Sequence, residues 1–294
     1  GVFVSNGGYA VFKTIDIIGE NSLCGYATNP LINGVTSALI ILGGIGYIVW
    51  WDVLRVIRSR SSKNRRIFRH LTLHSKIAIT ATAGLILVGA ILIFAFEYAN
   101  PLTIGEMSLF DKIQVSFFQS VTTRTAGFAT VPQENLTNAS AAVSIILMLV
   151  GGSPVGTAGG MKTVTIAVLV CSAFATIRNK NGATLFGRRI SEESIKKAVA
   201  VVVMFLTICA MSTVLLMATS NASALDAVYE TVSATATVGL SRNLTATLNT
   251  FGKLIIIVTM YFGRVGPISL AVALGSKNES QNVISDPTEE ISIG

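Results

Sequence analysis

The chain of 294 residues is 51% hydrophobic, carries charge on only 13% of its residues and has a mean hydropathy of +0.65. That is too apolar and too charge-poor for an ordinary soluble domain, and it points to a membrane. The net charge of +7 is segregated: residues 55–76 and 178–197 hold 14 of the 22 Lys and Arg, and both runs lie between membrane-length spans. The positive-inside rule then places both in the cytoplasm, which leaves nucleic-acid binding little weight as their explanation.

Taken in order, residues 1–9 read as the tail of a re-entrant loop, Ser5-Asn6-Gly7-Gly8-Tyr9. A chain that opens on Gly1 inside such a loop is expected to lack an N-terminal part. After a polar connection, Asn29-Pro30 marks a helix start and 31–53 is one membrane span running inward, ending in the interfacial pair Trp50-Trp51. Gly43, Gly44 and Gly46 would allow another helix to approach it closely. Beyond the basic loop, 77–96 runs back out and 97–108 is an outer connection. Residues 109–122 are too short and too polar to span, and read as a pore helix aimed at Thr122-Thr123-Arg124-Thr125-Ala126-Gly127-Phe128.

The next span is interrupted. Apolar runs at 141–150 and 163–177 flank residues 151–162, which hold five glycines, Pro154 and Lys162 and cannot continue a helix comfortably. Because the basic run from Arg178 must still be inside, the interruption is expected at membrane depth rather than in a cytoplasmic hairpin. Residues 198–219 run out, 224–236 form a second pore helix leading to Ser233-Ala234-Thr235-Ala236-Thr237-Val238-Gly239-Leu240, and 251–275 run inward. Residues 276–294 are polar and acidic, a predicted disordered inner tail.

Gly127 and Gly239 are 112 residues apart, and Gly8 and Gly127 are 119 apart. A repeat of that length, each copy with a span, short helix, glycine loop and span, implies that the loops share one task. Loop backbone at membrane depth survives only when buried or lining a cavity, and there its carbonyls can replace an ion's hydration shell. The candidate filter residues are therefore Asn6, Gly7 and Gly8; Thr123, Thr125, Ala126 and Gly127; and Thr235, Thr237, Val238 and Gly239. The bland alternative for each loop alone is an extracellular connection that contains glycine. The candidate gate is a plug just inside the filter, comprising Gly151, Gly152, Ser153, Gly156, Gly159, Gly160 and Lys162. Arg264, about 20 Å along the last span at about 1.5 Å per residue, joins it as a positive barrier to cations. The alternative for Arg264 is a structural partner for Glu230 or another buried carboxylate. Arg124 is expected to point behind its loop, pairing with a carboxylate such as Glu230 or with carbonyls.

Several chemistries lack their residues. His70 and His74 both lie in the basic inner loop, Cys24, Cys171 and Cys209 are scattered, no Asp is mid-span, and Gly156 to Lys162 lacks the spacing of a nucleotide-binding loop. These gaps speak against an enzyme and a proton-coupled carrier. A sodium-coupled carrier using the broken helix as its site, and a membrane scaffold without transport, stand as rivals. The repeated glycine loops and the mid-span Arg264 weigh against both.

With four motifs in order (122–128, 151–163, 233–240 and 263–267), the chain resembles the Trk/Ktr/HKT cation transporter superfamily, most closely the bacterial Ktr membrane subunit. The resemblance implies an all-α, multi-pass cell-membrane protein of repeated helix–pore loop–helix modules around a central ion pathway, with one broken helix. It implies potassium uptake, K+ bound at the filter carbonyls, possible dependence on or permeation by Na+, and no covalently bound cofactor. It further implies a homodimer in membrane lipid, resting on a cytoplasmic ring of nucleotide-binding regulatory subunits. In that frame residues 1–53 end a second module, 77–177 form the third with its gate loop and 198–275 form the fourth. Residues 54–76 and 178–197 are cytoplasmic loops, and 276–294 are the tail. The second filter reads Asn6-Gly7-Gly8-Tyr9 where Asn-Ala-Gly-Phe is usual, and the first module, which bears on Na+ against K+ selectivity, is not represented.

Overall fold

Most helices here start at a hydroxyl or amide side chain placed one residue before the helical run. In the computed structural model, which describes residues 22–58, 67–156, 158–180 and 182–265, the Asn29 side-chain oxygen accepts from the N–H groups of Leu31 and Ile32. It opens α1 (Pro30–Gly44), with Pro30 in the first turn where its missing N–H costs nothing. Next come α2 (Tyr47–Arg58), the single turn α3 (Ile67–His70) and α4 (Leu73–Glu97), capped by Thr72. Ser108 caps α5 (Leu109–Thr122), Thr137 caps α6 (Asn138–Leu149), and α7 (Thr163–Ile177) starts after Lys162. A two-stranded antiparallel hairpin, β1 (Thr184–Leu185) and β2 (Arg188–Arg189), leads to α8 (Glu192–Thr219), capped by Ser191. Ser223 caps α9 (Ala224–Thr235), and α10 (Leu244–Thr247) and α11 (Thr250–Val265) end the described chain.

The short helices α5 and α9 begin alike. The Ser108 and Ser223 hydroxyls accept the N–H of Asp111 and Asp226 and donate to those carboxylates at 2.6 and 2.7 Å, the same serine–aspartate cap twice. Each short helix then packs among its neighbours: α5 against α4 and α1, α9 against α8, α11 and α6. Among the described residues the regular structure is helical apart from the hairpin and one isolated bridge, Val150 to Met161, and a helix–short helix–loop–helix unit is present twice. Helices α4 and α8 are long and apolar enough to cross a membrane. Exposed Leu87, Val88 and Ile91 on α4 and Val203 and Leu215 on α8 leave faces suited to lipid. One apolar core joins Ile40, Ile86, Phe118, Val121 and Phe128; another joins Met148, Met161, Phe205, Tyr229, Val232 and Val238. Each glycine loop therefore sits on its own core.

The structure adds a second interruption that the sequence reading did not contain. Residues 31–53, read as one span, are two helices bent by 89° at the break after Gly44. Gly46 adopts a positive φ of 88°, and a Cβ there would lie 2.6 Å from the Pro154 carbonyl oxygen. What approaches these glycines is a loop, not a helix. Helices α4 and α8 also begin before the expected residues 77 and 198, because the Thr72 and Ser191 caps lie upstream; Lys76, Lys196 and Lys197 are consequently helical. The loop of Asn6, Gly7 and Gly8, residues 266–267 and the tail at 276–294 lie outside the described residues.

Candidate functional site

Helices α5 and α9 both stop where the chain enters the left-handed region. Past α5, Thr125 has φ 67° and Gly127 φ 77°; past α9, Thr237 has φ 55° and Gly239 φ 93°. Positive φ is uncommon for any residue with a side chain and an outlier for a β-branched one, yet here it recurs at both equivalent threonines. Such strain persists only where the surroundings over-determine it, and it concentrates at functional sites. One residue of ordinary backbone separates the two left-handed residues in each loop.

Hydroxyls from the helix ends hold both loops. Thr122 Oγ1 donates to the Phe128 carbonyl at 2.6 Å and accepts its N–H at 2.8 Å; Ser233 Oγ accepts the Gly239 N–H at 3.1 Å. In both cases the brace spans six residues. The two loops then meet. A methyl group on Gly127 would overlap the Val238 carbonyl oxygen and lie 3.3 Å from the Gly239 Cα, so the second loop presents a carbonyl directly to the first loop's glycine. Thr122, Thr123, Thr125, Ala126, Thr235, Thr237 and Val238 are all buried.

Arg124 turns away from this meeting point. It is 7% exposed, and its Nη1 and Nη2 donate to the carbonyls of Thr82 at 3.2 Å and Gly151 at 3.0 Å. Glu230 is not its partner, nor that of Arg264: the Glu230 carboxylate accepts the hydroxyls of Ser241 at 2.7 Å and Thr245. The sequence offered a charge in need of a partner, and the structure satisfies it with backbone oxygens.

The interrupting loop lies against both neighbours. Its neck closes through Gly151 N–H to Met161 O at 2.9 Å, Thr163 N–H to Gly152 O at 3.1 Å and the Ser153–Thr163 hydroxyl contact at 3.2 Å. Just past the neck, Ser153 donates its N–H to Gly44 O at 2.9 Å, seating residues 153–156 in the α1–α2 break. On the other side, a Cβ on Gly159 would overlap Thr237 Oγ1 and lie 2.8 Å from Ala236 O; one on Gly160 would lie 3.3 Å from the Ala236 Cβ. Lys162 Nζ donates to Ala158 O at 2.6 Å, and the charge of Arg264 acts on it. Arg264 is exposed one residue beyond Gly263, whose missing side chain lets α11 rest on the Thr235 carbonyl. Thus Gly127, Val238 and Gly239 converge, Gly159 and Gly160 lie against the Gly239 loop, and Gly151 is tied to Arg124. Sequence reasoning missed the α1–α2 seat for this loop, although Gly43, Gly44 and Gly46 form a glycine cluster like the one at 151–160.

Residues 3–285 match the TrkH family, described as cation transport protein. The chain is 38% identical over 263 residues to Ktr system potassium uptake protein B of Bacillus subtilis, covering 90% of this chain and 57% of that protein. It is 36% identical over 270 residues to the protein of the same name from Vibrio alginolyticus (92% and 56% covered). It is also 34% identical over 284 residues to potassium/sodium uptake protein NtpJ of Enterococcus hirae (95% and 60%). The chain therefore spans well under two thirds of the length of these relatives. Among solved structures, the potassium transporter TrkH from Vibrio parahaemolyticus superimposes with a TM-score of 0.65 at 20% identity, covering 87% of this chain and 54% of that one, which is a likeness of fold.

Proposed function

This chain belongs to the TrkH family of cation transport proteins, and we propose that it forms part of a potassium-uptake pathway in a bacterial plasma membrane. The reading rests on one observation above the others: two loops 112 residues apart share the same pair of left-handed residues and meet glycine to carbonyl. In this reading dehydrated K+ exchanges its water for carbonyl oxygens of the Gly127 and Gly239 loops, with Asn6, Gly7 and Gly8 supplying a further copy. The C-terminal ends of α5 and α9 carry the negative end of each helix dipole and favour a cation there. Residues 151–162, seated between the α1–α2 break and the Gly239 loop, act as a gate, and Lys162 and Arg264 oppose cation passage until that loop moves. Residues 1–53, 77–177 and 198–275 are then the end of one module and two whole ones. The pathway works as a homodimer on a cytoplasmic ring of nucleotide-binding regulatory subunits.

Passage or coupling of sodium is the second reading, favoured by the 34% identity to the potassium/sodium uptake protein NtpJ. The deciding experiment is growth at low K+ of a bacterium without its own potassium uptake, carrying the full-length parent gene with or without Gly127→Ser. Rescue by the parent and none by a normally expressed variant is the expected result. Rescue by both removes Gly127 from any filter. Rescue by neither, despite membrane expression and a supplied regulatory subunit, turns the assignment towards sodium or an organic solute.

A further inference from the structure

A filter discriminates between ions of one charge and different size only while its loops keep a fixed spacing, whether selection comes from cavity size or from the number of carbonyls. Gly127 and Gly239 lie in loops that follow separate helices, α5 and α9, from modules more than a hundred residues apart in sequence. The bracket between those helices is built on Gln133, in the segment that follows the Gly127 loop. Its Nε2 donates to Val131 O at 2.8 Å and to Gln119 Oε1 at 3.2 Å; its Oε1 accepts from Gln119 Nε2 at 2.6 Å and from the Tyr229 hydroxyl at 3.0 Å. Two donors and two acceptors is the whole capacity of a carboxamide, and all four are used. Gln119 lies on α5 four residues before Thr123, and Tyr229 on α9 six before Thr235. The three side chains are 1%, 3% and 0% exposed for Gln119, Gln133 and Tyr229.

The same segment is held from outside as well. Arg242 donates from Nη1 to the carbonyls of Gln133 and Leu136, each at 3.2 Å, while its Nε donates to Asp226 Oδ1 on α9 at 2.7 Å. A buried carboxamide that makes all four of its hydrogen bonds is held stiffly, because any displacement strands buried donors and acceptors. We propose that Gln133, with Gln119 and Tyr229, is a positioning bracket that sets the spacing of the Gly127 and Gly239 loops and thereby the preference for K+ over Na+. None of the three contacts the ion; they act through the helices that carry the loops. The inference rests on the potassium-filter reading above.

Tyr229→Phe tests it with the least disturbance, since it removes one hydroxyl and keeps the ring. The full-length parent and its variants, with the regulatory subunit, are assayed for K+ uptake and for inhibition of that uptake by Na+. Thr103→Val is the control: it removes another buried hydroxyl, 2.6 Å from the Glu97 carboxylate and not hydrogen-bonded to Gln133, Gln119 or Tyr229. Tyr229→Phe is expected to lower the K+ to Na+ preference about fivefold, the equivalent of one buried hydrogen bond. Its maximal K+ rate stays near the parent's, and Thr103→Val leaves the preference unchanged. As a readout independent of transport, K+ is expected to raise the Tm of the purified parent more than Na+ does, and that difference is expected to shrink in Tyr229→Phe and in Gln133→Leu. Parental preference and parental ion-specific Tm shifts in both variants overturn the bracket and leave the filter reading intact. An equal fall in preference with Thr103→Val also overturns it, as general destabilisation. A parent that takes up no K+, or shows no preference, overturns the filter reading and this inference with it.

Discussion

The Gly127 and Gly239 loops share their backbone but not their support. Both follow a short capped helix, both place a threonine and a glycine at positive φ, and both are braced by a hydroxyl across six residues. At the position where the first loop carries Arg124, the second, 112 residues on, carries Ala236. The long side chain reaches past its own loop to the carbonyls of Thr82 and Gly151. The small one leaves room for the backbone of Gly159 and Gly160 to lie directly on the second loop. One strained turn is thus held by a guanidinium and the other by the interrupting loop itself. Similar backbone strain is met by unlike means, and movement of residues 151–162 takes with it the direct packing on the Gly239 loop but only one of the two Arg124 bonds.

The largest expected effect breaks the likeness between the two glycines. Gly127→Ala incurs left-handed strain of about 1–2 kcal/mol and also drives a methyl group into the Val238 carbonyl oxygen. Gly239→Ala incurs the strain alone, since the nearest atom to its Cβ is the Gly127 Cα at 3.9 Å. Potassium uptake in the deficient bacterium is expected to vanish with Gly127→Ala and to survive, reduced about tenfold, with Gly239→Ala. Equal loss from both would mean that φ alone governs and the close approach contributes nothing.

A smaller effect is expected from Arg124→Met, which keeps much of the side-chain volume and removes both bonds. A hydrogen bond to a charged group contributes about 1.5–3 kcal/mol, but the apolar replacement also relieves the desolvation of a buried charge. Thermal stability should therefore fall by only a few degrees, while uptake drops more because the Gly127 loop loses its tie to Gly151. A large drop in Tm with normal residual uptake would make Arg124 a part of the core rather than of the loop.

How much of this was legible in the sequence depends on whether the signal was local. Residues 109–122 were readable as a short helix because their length and polarity say so, and the structure gives the same bounds. Five glycines and a proline announce the interruption at 151–162 without help from the rest of the chain. The break after Gly44 was hidden, because glycines in an apolar run also serve helix packing, and only Pro154, far along the chain, shows what they admit. The partners of Arg124 were hidden for a different reason: every residue has a carbonyl, so no pattern marks the two it uses. Gln133 carries no motif at all, and its importance appears only once Gln119 and Tyr229 are beside it.

The smallest effect concerns the ion pair of Arg242 with Asp226 at 2.7 Å, which holds the guanidinium that reaches across to the Gln133 and Leu136 carbonyls of the other unit. Burial alone would raise the Asp226 carboxyl, but the hydrogen bonds from Ser223 and Arg242 and the Arg242 charge outweigh it and hold it below the usual carboxylate range. A carboxyl with a depressed folded-state pKa contributes stability that is fully present above its unfolded value, about 3.9, and is lost as pH falls through the folded value. The Asp226 side chain is 32% exposed, so solvent screening keeps that contribution under about 1 kcal/mol. The Tm of the purified parent should exceed that of Asp226→Asn by a small, constant margin at neutral pH, and the margin should close only below about pH 4. Curves that stay parallel down to pH 3 would show that the bond geometry, not the charge, holds Arg242 against residues 133–136. The tie would then be no weaker in acid than the neutral carboxamide bracket of Gln133 beside it.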